Sequence, residues 1–290
     1  MEVSQEKWDS IFHNWKEPWK CSARKRPLGC DICDYIDKNG VDPKGNSIIL
    51  SIVGDIHTNI GKLQKLITTN NLKTALTVGD MAIYPDLESA KLDKKSYKHC
   101  EAQINKFVND LASNDIKPFD CDVYSILGNH ENFIDLEHDM FKTLNMSYLK
   151  NGTLFEIGNI TIAVMGGIFS PIKFEWATSK LKDYTKRFYT KEDIETLIDA
   201  VTSNGKPIDI LITHQAASGI LPQVASGADE GSKELRRLLL DIKPKYYIHG
   251  HHHKQYESSI GDTQIIGLGN FNNNAYAHVE FNMITGERIV

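Results

Sequence analysis

An α/β fold is what this chain of 290 residues predicts, and two observations predict it. From Ile48 onward, short apolar runs of strand character alternate with stretches of helical spacing. Five of those runs also stop abruptly at a residue able to bind a metal. They read Ile52-Val53-Gly54-Asp55-Ile56-His57, Leu76-Thr77-Val78-Gly79-Asp80, Ile126-Leu127-Gly128-Asn129-His130-Glu131, Leu211-Ile212-Thr213-His214 and Tyr247-Ile248-His249-Gly250-His251-His252-His253. In open α/β sheets the ligand crevice lies outside the carboxyl ends of the strands. Five polar lips in succession therefore point to one site assembled from the whole sheet.

The elements follow in order. Ile48 to Val53 is a continuous apolar run, as a strand buried on both faces requires. Ile60, Leu63, Leu66 and Ile67 keep helical spacing, and Leu76 to Val78 gives the next strand. Ile104, Phe107, Val108 and Leu111 mark a helix at i, i+3, i+4, i+7. Val123 to Leu127 reads as a strand and Phe133 to Leu144 as a helix. Phe155 to Ile162 turns as a hairpin around Gly158-Asn159. Thr190 with Asp193 opens a helix by a capping box, continued through Ile194, Leu197, Ile198 and Val201. A strand at Ile208–Ile212, a helix through Leu235, Leu238, Leu239 and Ile242, and a strand at Tyr246–Ile248 follow. From about Gln255 the tail predicts short antiparallel strands, with turns at Gly261-Asp262 and Thr285-Gly286.

Residues 1–46 differ. They hold Trp8, Trp15 and Trp19, three clustered cysteines and no sustained period, and they close on the turn signature Asp42-Pro43-Lys44-Gly45. The chain thus divides into an N-terminal extension, 1–46, and a catalytic domain, 47–290. Within the extension Cys30-Asp31-Ile32-Cys33 supplies two thiols on a tight turn, half of a structural zinc site. Cys21 is a candidate third ligand and His13 a fourth, in a spacing that matches no standard finger; reduced free thiols are the alternative. The odd count of five cysteines argues against a disulfide framework. Cys100, in a helical pattern, and Cys121, before a strand, read as small core residues.

Composition is that of an ordinary globular protein, 41% hydrophobic and 24% charged. No run approaches the roughly 18 apolar residues of a membrane span, and the polar, acidic start is no secretory signal. The expected setting is cytoplasmic, or nuclear in a eukaryote, without a membrane partner. A net charge of −5 argues against a surface coated for duplex binding. Lys20, Arg24, Lys25 and Arg26 form one local basic cluster, and Lys173, Lys180, Lys182, Lys186 and Arg187 another; each alone reads as solvated loop charge.

At the lips, an extended backbone would point Asp55 and His57 the same way, and likewise His251 and His253. Glycines at 79 and 128 allow sharp turns and close approach. Seven candidate ligands, Asp55, His57, Asp80, Asn129, His214, His251 and His253, are too many for one tetrahedral ion and suit two that share a carboxylate. Mixed oxygen and imidazole donors favour Mn, Fe, Zn or Ni over Ca or Mg alone. His249 and His252 alternate away from that set. Asn129 adds a donor without cancelling positive charge, and Glu131 or Asp80 could fix the tautomer of His130.

The series Asp-x-His, Gly-Asp, Gly-Asn-His-Glu, a lone His and Gly-His-x-His resembles the calcineurin-like metallophosphoesterases over about residues 48–282. The resemblance implies two mixed β-sheets packed as a sandwich and flanked by helices. It implies Asp55, His57, Asp80 and His253 at one metal, Asp80 bridging, and Asn129, His214 and His251 at the second. His130 would assist the leaving group while a hydroxide held between the ions attacks phosphorus.

Within that superfamily the chain is most similar to RNA lariat debranching enzymes. Gly61-Lys62-Leu63-Gln64-Lys65, Asp86-Leu87-Glu88-Ser89, Lys95 to His99, Gly158 to Phe169, Pro207 to His214 and Leu268-Gly269-Asn270 carry the similarity. Many of those enzymes have Cys where this chain has His57, and they usually begin at the first strand. The resemblance implies a phosphodiester substrate with RNA as partner, and makes Ser170–Tyr189 the recognition loop. There Lys180, Tyr184, Arg187 and Tyr189 could pair with phosphates and stack on bases; an ordinary surface loop packed on its aromatics is the alternative. Three functions stay open at this point: a two-metal phosphodiesterase, perhaps on 2′,5′-linked RNA, a phosphomonoesterase, and a non-catalytic scaffold.

Overall fold

In the computed structural model the described residues are 49–92, 94–222, 231–271 and 277–289. The extension 1–46, its boundary and the cysteines Cys21, Cys30 and Cys33 lie outside them.

Two sheets face each other. The first runs β1 (Ile49–Val53), β2 (Thr74–Thr77), β3 (Asp122–Ser125) and β4 (Met146–Tyr148) in parallel, with β11 (His278–Asn282) antiparallel on the outer side of β1. The second places β5 (Thr153–Ile157) antiparallel to β6 (Ile160–Met165). It continues in parallel through β7 (Ile210–Thr213), β8 (Tyr246–His249) and β10 (Thr263–Gly267), then closes on antiparallel β9 (Tyr256–Ile260).

Side chains that alternate along the strands sort into layers. Leu50, Ile52, Leu76 and Ile126 of the first sheet meet Ile162, Val164, Ile212 and Ile248 of the second in a fully buried central core. The opposite face of the first sheet, with Val53, Ala75 and Val123, is covered by α1 (Ile60–Thr69), α3 (Lys94–Ala112) and α4 (Asp139–Thr143). A short α2 (Leu87–Leu92) precedes α3. The outer face of the second sheet is covered by α5 (Pro171–Phe174), α6 (Lys191–Asn204) and α7 (Lys233–Ile242). The architecture is the expected αββα sandwich. The capping box of α6 forms as read, Thr190 Oγ1 accepting from Asp193 N while the Asp193 carboxylate accepts from Thr190 N. The hairpin at Gly158-Asn159 also forms.

One element differs. Of the helix expected over Phe133–Leu144, only Asp139–Thr143 is helical. The preceding residues turn instead: Phe133 N donates to Glu131 O, Asp135 N to Asn132 O, and Glu137 N to the Asp135 carboxylate. His138 Nδ1 accepts from Met140 N and so caps the late start. Such local side-chain bonds compete with helical ones. Among the described residues no helix is long and apolar enough to cross a membrane.

Candidate metal centre

The strand lips are stitched edge to edge by their backbones. His57 N donates to Asp80 O at 2.7 Å, joining the loops after β1 and β2. Ala82 N donates to His130 O at 2.9 Å, joining those after β2 and β3. Gly250 N donates to His214 O at 3.0 Å, joining β7 to β8. The two sheets are then tied across. His214 Nδ1 meets Val78 O at 2.7 Å, and His251 N donates to Asp55 Oδ2 at 2.9 Å. All five motifs therefore reach one place.

They do not reach it on extended backbone. His57 (φ 43°), Asp80 (φ 53°), His251 (φ 66°) and His253 (φ 54°) all lie in the left-handed region, as do Thr58 and Ala82. The expected extended pairing of Asp55 with His57 is corrected: the chain kinks at His57, and that kink brings the ring back beside Asp80. Non-glycine residues in this region carry strain that surrounding packing must hold, and such strain clusters at functional sites. The glycines hold it by leaving room. A Cβ on Gly250 would stand 2.3 Å from Asp55 Oδ1, and one on Gly128 would stand 2.2 Å from Asp80 Oδ1.

Donor atoms gather in two groups that share Asp80: Asp55, His57, Asp80 and His253, and Asp80, His214 and His251, each group within 4.8 Å. In the first, His57 Nε2 and His253 Nε2 face each other at 3.1 Å, with Asp55 Oδ2 3.2 Å from the latter. His57 Nε2 lies 3.7 Å from Asp80 Oδ2. In the second, the Val78 carbonyl can only accept, so His214 carries its proton on Nδ1 and turns the Nε2 lone pair inward. That nitrogen faces Asn129 Oδ1 at 3.0 Å and Asp80 Oδ1 at 3.4 Å. Asp55 Oδ1 is fully buried with no hydrogen-bond partner. Converging lone pairs and an orphaned buried carboxylate oxygen are the arrangement that bound cations relieve. The residues fit a binuclear divalent metal site.

Electrostatics agree. Burial alone would raise the Asp80 carboxyl, but the imidazoles of His214, His57, His130 and His251 outweigh it and hold Asp80 below the usual carboxylate range. Burial, then His214, lowers His251 to about 3, leaving it a neutral donor at ordinary pH. A hydrogen bond from His253 to Asp55 raises His253. His130 is half-buried at the rim, its ring 5.7 Å from that of His57. Its backbone N, with that of Asn129, donates to Asp80 Oδ1 at 2.8 and 2.7 Å.

One outer role differs from expectation. The Glu131 carboxyl turns inward, accepting from Gly128 N, Met81 N and the Tyr148 hydroxyl; it braces the loops rather than the His130 ring. Burial, then Asp80, pushes it up to about 8. Tyr148, on the three-residue β4, gave no sequence signal. His249 is buried on Tyr256, Nε2 to hydroxyl 2.7 Å, and it and His252 stand outside both donor groups, as read.

The recognition loop divides. Lys180 and Tyr184 are exposed. Arg187 is buried, its Nε donating to Tyr184 O at 2.8 Å and its guanidinium set over the Phe133 and Tyr184 rings. Tyr189 is corrected: it is fully buried between Phe169 and Phe174, with its hydroxyl 2.5 Å from Ser232 Oγ. It is a core residue with no face for a substrate.

A layered sandwich whose strand ends gather two donor groups around a shared carboxylate is the architecture of a binuclear metal protein. The profile of the calcineurin-like phosphoesterases matches residues 50–255, and the chain belongs to that family. A lariat debranching enzyme of Entamoeba histolytica is 26% identical over 162 residues, covering 49% of this chain and 45% of that protein. One of Schizosaccharomyces pombe is 25% identical over 155 residues, covering 46% and 33%. The match thus spans less than half the length of these curated relatives. One solved structure superposes with a TM-score of 0.56 at 14% identity, covering 83% of this chain and 97% of its own, which speaks to the fold alone.

Proposed function

We propose that the chain is a two-metal phosphodiesterase acting on nucleic acid, with 2′,5′-linked RNA of the lariat kind as its substrate class. The observation that supports this best is the pair of donor groups sharing Asp80 beside the half-buried His130. Asp55, His57, Asp80 and His253 would hold one ion, and Asp80, Asn129, His214 and His251 the other, from among Mn, Fe, Zn or Ni. Bound there, divalent ions supply a nucleophilic water at neutral pH and a positive clamp on phosphate oxygens.

The chain's own residues do the rest. Asp80 holds the His130 backbone through its N–H while Ala82 N holds His130 O, so the ring has a fixed seat at the rim. From that seat His130 donates a proton to the departing oxygen. Exposed Lys180 screens substrate phosphate, and Tyr184, braced from beneath by Arg187, offers a face for a splayed base. Similarity to debranching enzymes supports RNA as the substrate.

The test compares bis(p-nitrophenyl) phosphate with p-nitrophenyl phosphate in Mn, Fe, Ni and Zn, for the wild type and His130→Ala. Diester hydrolysis is expected to fall in the variant, by less with p-nitrophenolate, which departs without a proton, than with a ribose hydroxyl, where loss of a general acid costs on the order of 100-fold or more. Monoester-only activity would move the reading to a phosphomonoesterase, and inactivity with every metal would end it. Release of a branched 2′,5′ RNA then tests the substrate directly.

A further inference from the structure

His57 has a second neighbour besides the metal centre. A groove of about 520 Å³ starts at His57, Thr58 and Asn59 and runs between α1 and α3 as far as Asp115 and Ile116. That size is in the range of small-molecule sites. We infer that this groove is a nucleobase subsite, taking the uncharged base of a nucleoside esterified to the phosphate held at the metal centre. The inference rests on the phosphoesterase reading and gives one substituent of the ester a place.

Its chemistry is that of a base. Partly exposed Ile116 gives it an apolar wall over a floor of buried Ile60 and Phe107, and Gln64 and Gln103 line it with amides. A nucleobase presents apolar faces and an edge of mixed donors and acceptors, which Asn and Gln amides match. Gln64 gives its NH₂ to Lys117 O at 2.6 Å, which fixes the side chain and leaves its carbonyl oxygen as acceptor. Gln103 is exposed on α3 and presents both a donor and an acceptor.

Its charge excludes a second phosphate. Among the described residues of the wall the one cation, Lys106, is ion-paired to Asp110 one turn on. Asp115 adds a further carboxylate, so one positive group faces two negative ones. Phosphate belongs at the metals and the Lys180 side, and a neutral group belongs here. A monoester of a small alcohol would leave the groove unfilled, whereas a nucleoside ester fills it.

The experiment compares thymidine 5′-(p-nitrophenyl phosphate) with bis(p-nitrophenyl) phosphate, two diesters with the same chromogenic leaving group, on the full chain with Mn. Gln103→Trp fills the groove from an exposed helix position, and Gln103→Ala removes the amide. In the wild type the thymidine ester should be preferred in kcat/KM. Gln103→Trp should cut that preference tenfold or more through KM, and Gln103→Ala severalfold. Titration of thymidine alone should show binding to the wild type that weakens at least tenfold in Gln103→Trp. No preference in the wild type, or an equal loss on both diesters, overturns the subsite while leaving the phosphoesterase reading standing. Inactivity on both diesters overturns that reading instead, and thymidine binding still decides whether the groove takes a nucleoside.

Discussion

The Tyr148 hydroxyl donates to Glu131 Oε2 at 2.7 Å, directly behind the metal-bearing loops. The other Glu131 oxygen accepts from Met81 N at 3.2 Å and Gly128 N at 3.1 Å. One carboxyl thus ties the lips of β2 and β3, which carry Asp80 and Asn129, to the edge strand β4. Tyr148→Phe deletes the donor and leaves a buried oxygen unpaired, which costs about 1–3 kcal/mol. The urea midpoint should fall accordingly, and Glu131→Leu, which frees two buried N–H groups as well, should lower it further. An unchanged midpoint in Tyr148→Phe would show that the bond does not hold the loops.

Glycine positions separate metal binding from stability. Gly250→Ala places a methyl group 2.3 Å from Asp55 Oδ1 and 2.5 Å from a Val78 methyl, so Asp55 must move. Loss of the ion held with Asp55 is expected, read by equilibrium dialysis against Mn. Gly205 ends α6 with φ at 62° and has open space where a Cβ would stand. Gly205→Ala should therefore cost about 1 kcal/mol of backbone strain and leave metal content intact. Equal metal loss in both variants would refute the cradle.

The shared carboxylate predicts an asymmetry in stoichiometry. Asp80 belongs to both donor groups, whereas His253 belongs to one. Asp80→Ala should abolish tight binding of both ions, and His253→Ala should leave one. Chelation should lower the thermal midpoint of the wild type, because ligands bound only by the native state stabilise it by mass action. Two ions retained by Asp80→Ala would show that the centres are independent.

Much of this arrangement was legible before the fold. The apolar run to Val53 announces a strand buried on both faces, with Leu50 and Ile52 in one layer and Val53 in the other, and the polar residue ending each run announces the lip. The donor set was readable because its members sit at those lips in chain order. What was not legible depends on contacts distant in sequence. Tyr148 lies on a three-residue strand too short to show a period, and only the fold sets it against Glu131. The left-handed turns at His57 and His253 fall on histidines, so no glycine marks them in the sequence. The groove beside His57 joins α1 to α3 across a long stretch of sequence, so neither Gln64 nor Gln103 signals it alone.

The recognition loop yields the sharpest contrast between residues of one kind. Tyr184 and Tyr189 read alike as aromatics among basic residues, yet one is 62% exposed and the other is fully buried. Tyr189→Ala empties a volume between Phe169 and Phe174 and leaves the Ser232 hydroxyl only its cap bond from Leu235 N, which costs about 3–5 kcal/mol as for other large aromatic truncations. Tyr184→Ala removes an exposed ring, and surface changes of that kind stay within about 0.5 kcal/mol. If Tyr184 stacks on a base, that same substitution weakens single-stranded RNA binding by about 1–3 kcal/mol, roughly 5- to 150-fold. Denaturation and RNA titration of the two variants should then separate cleanly: Tyr189→Ala lowers stability, and Tyr184→Ala lowers affinity with stability intact. Unchanged RNA affinity in Tyr184→Ala would confine recognition to the lysines and to the groove at His57.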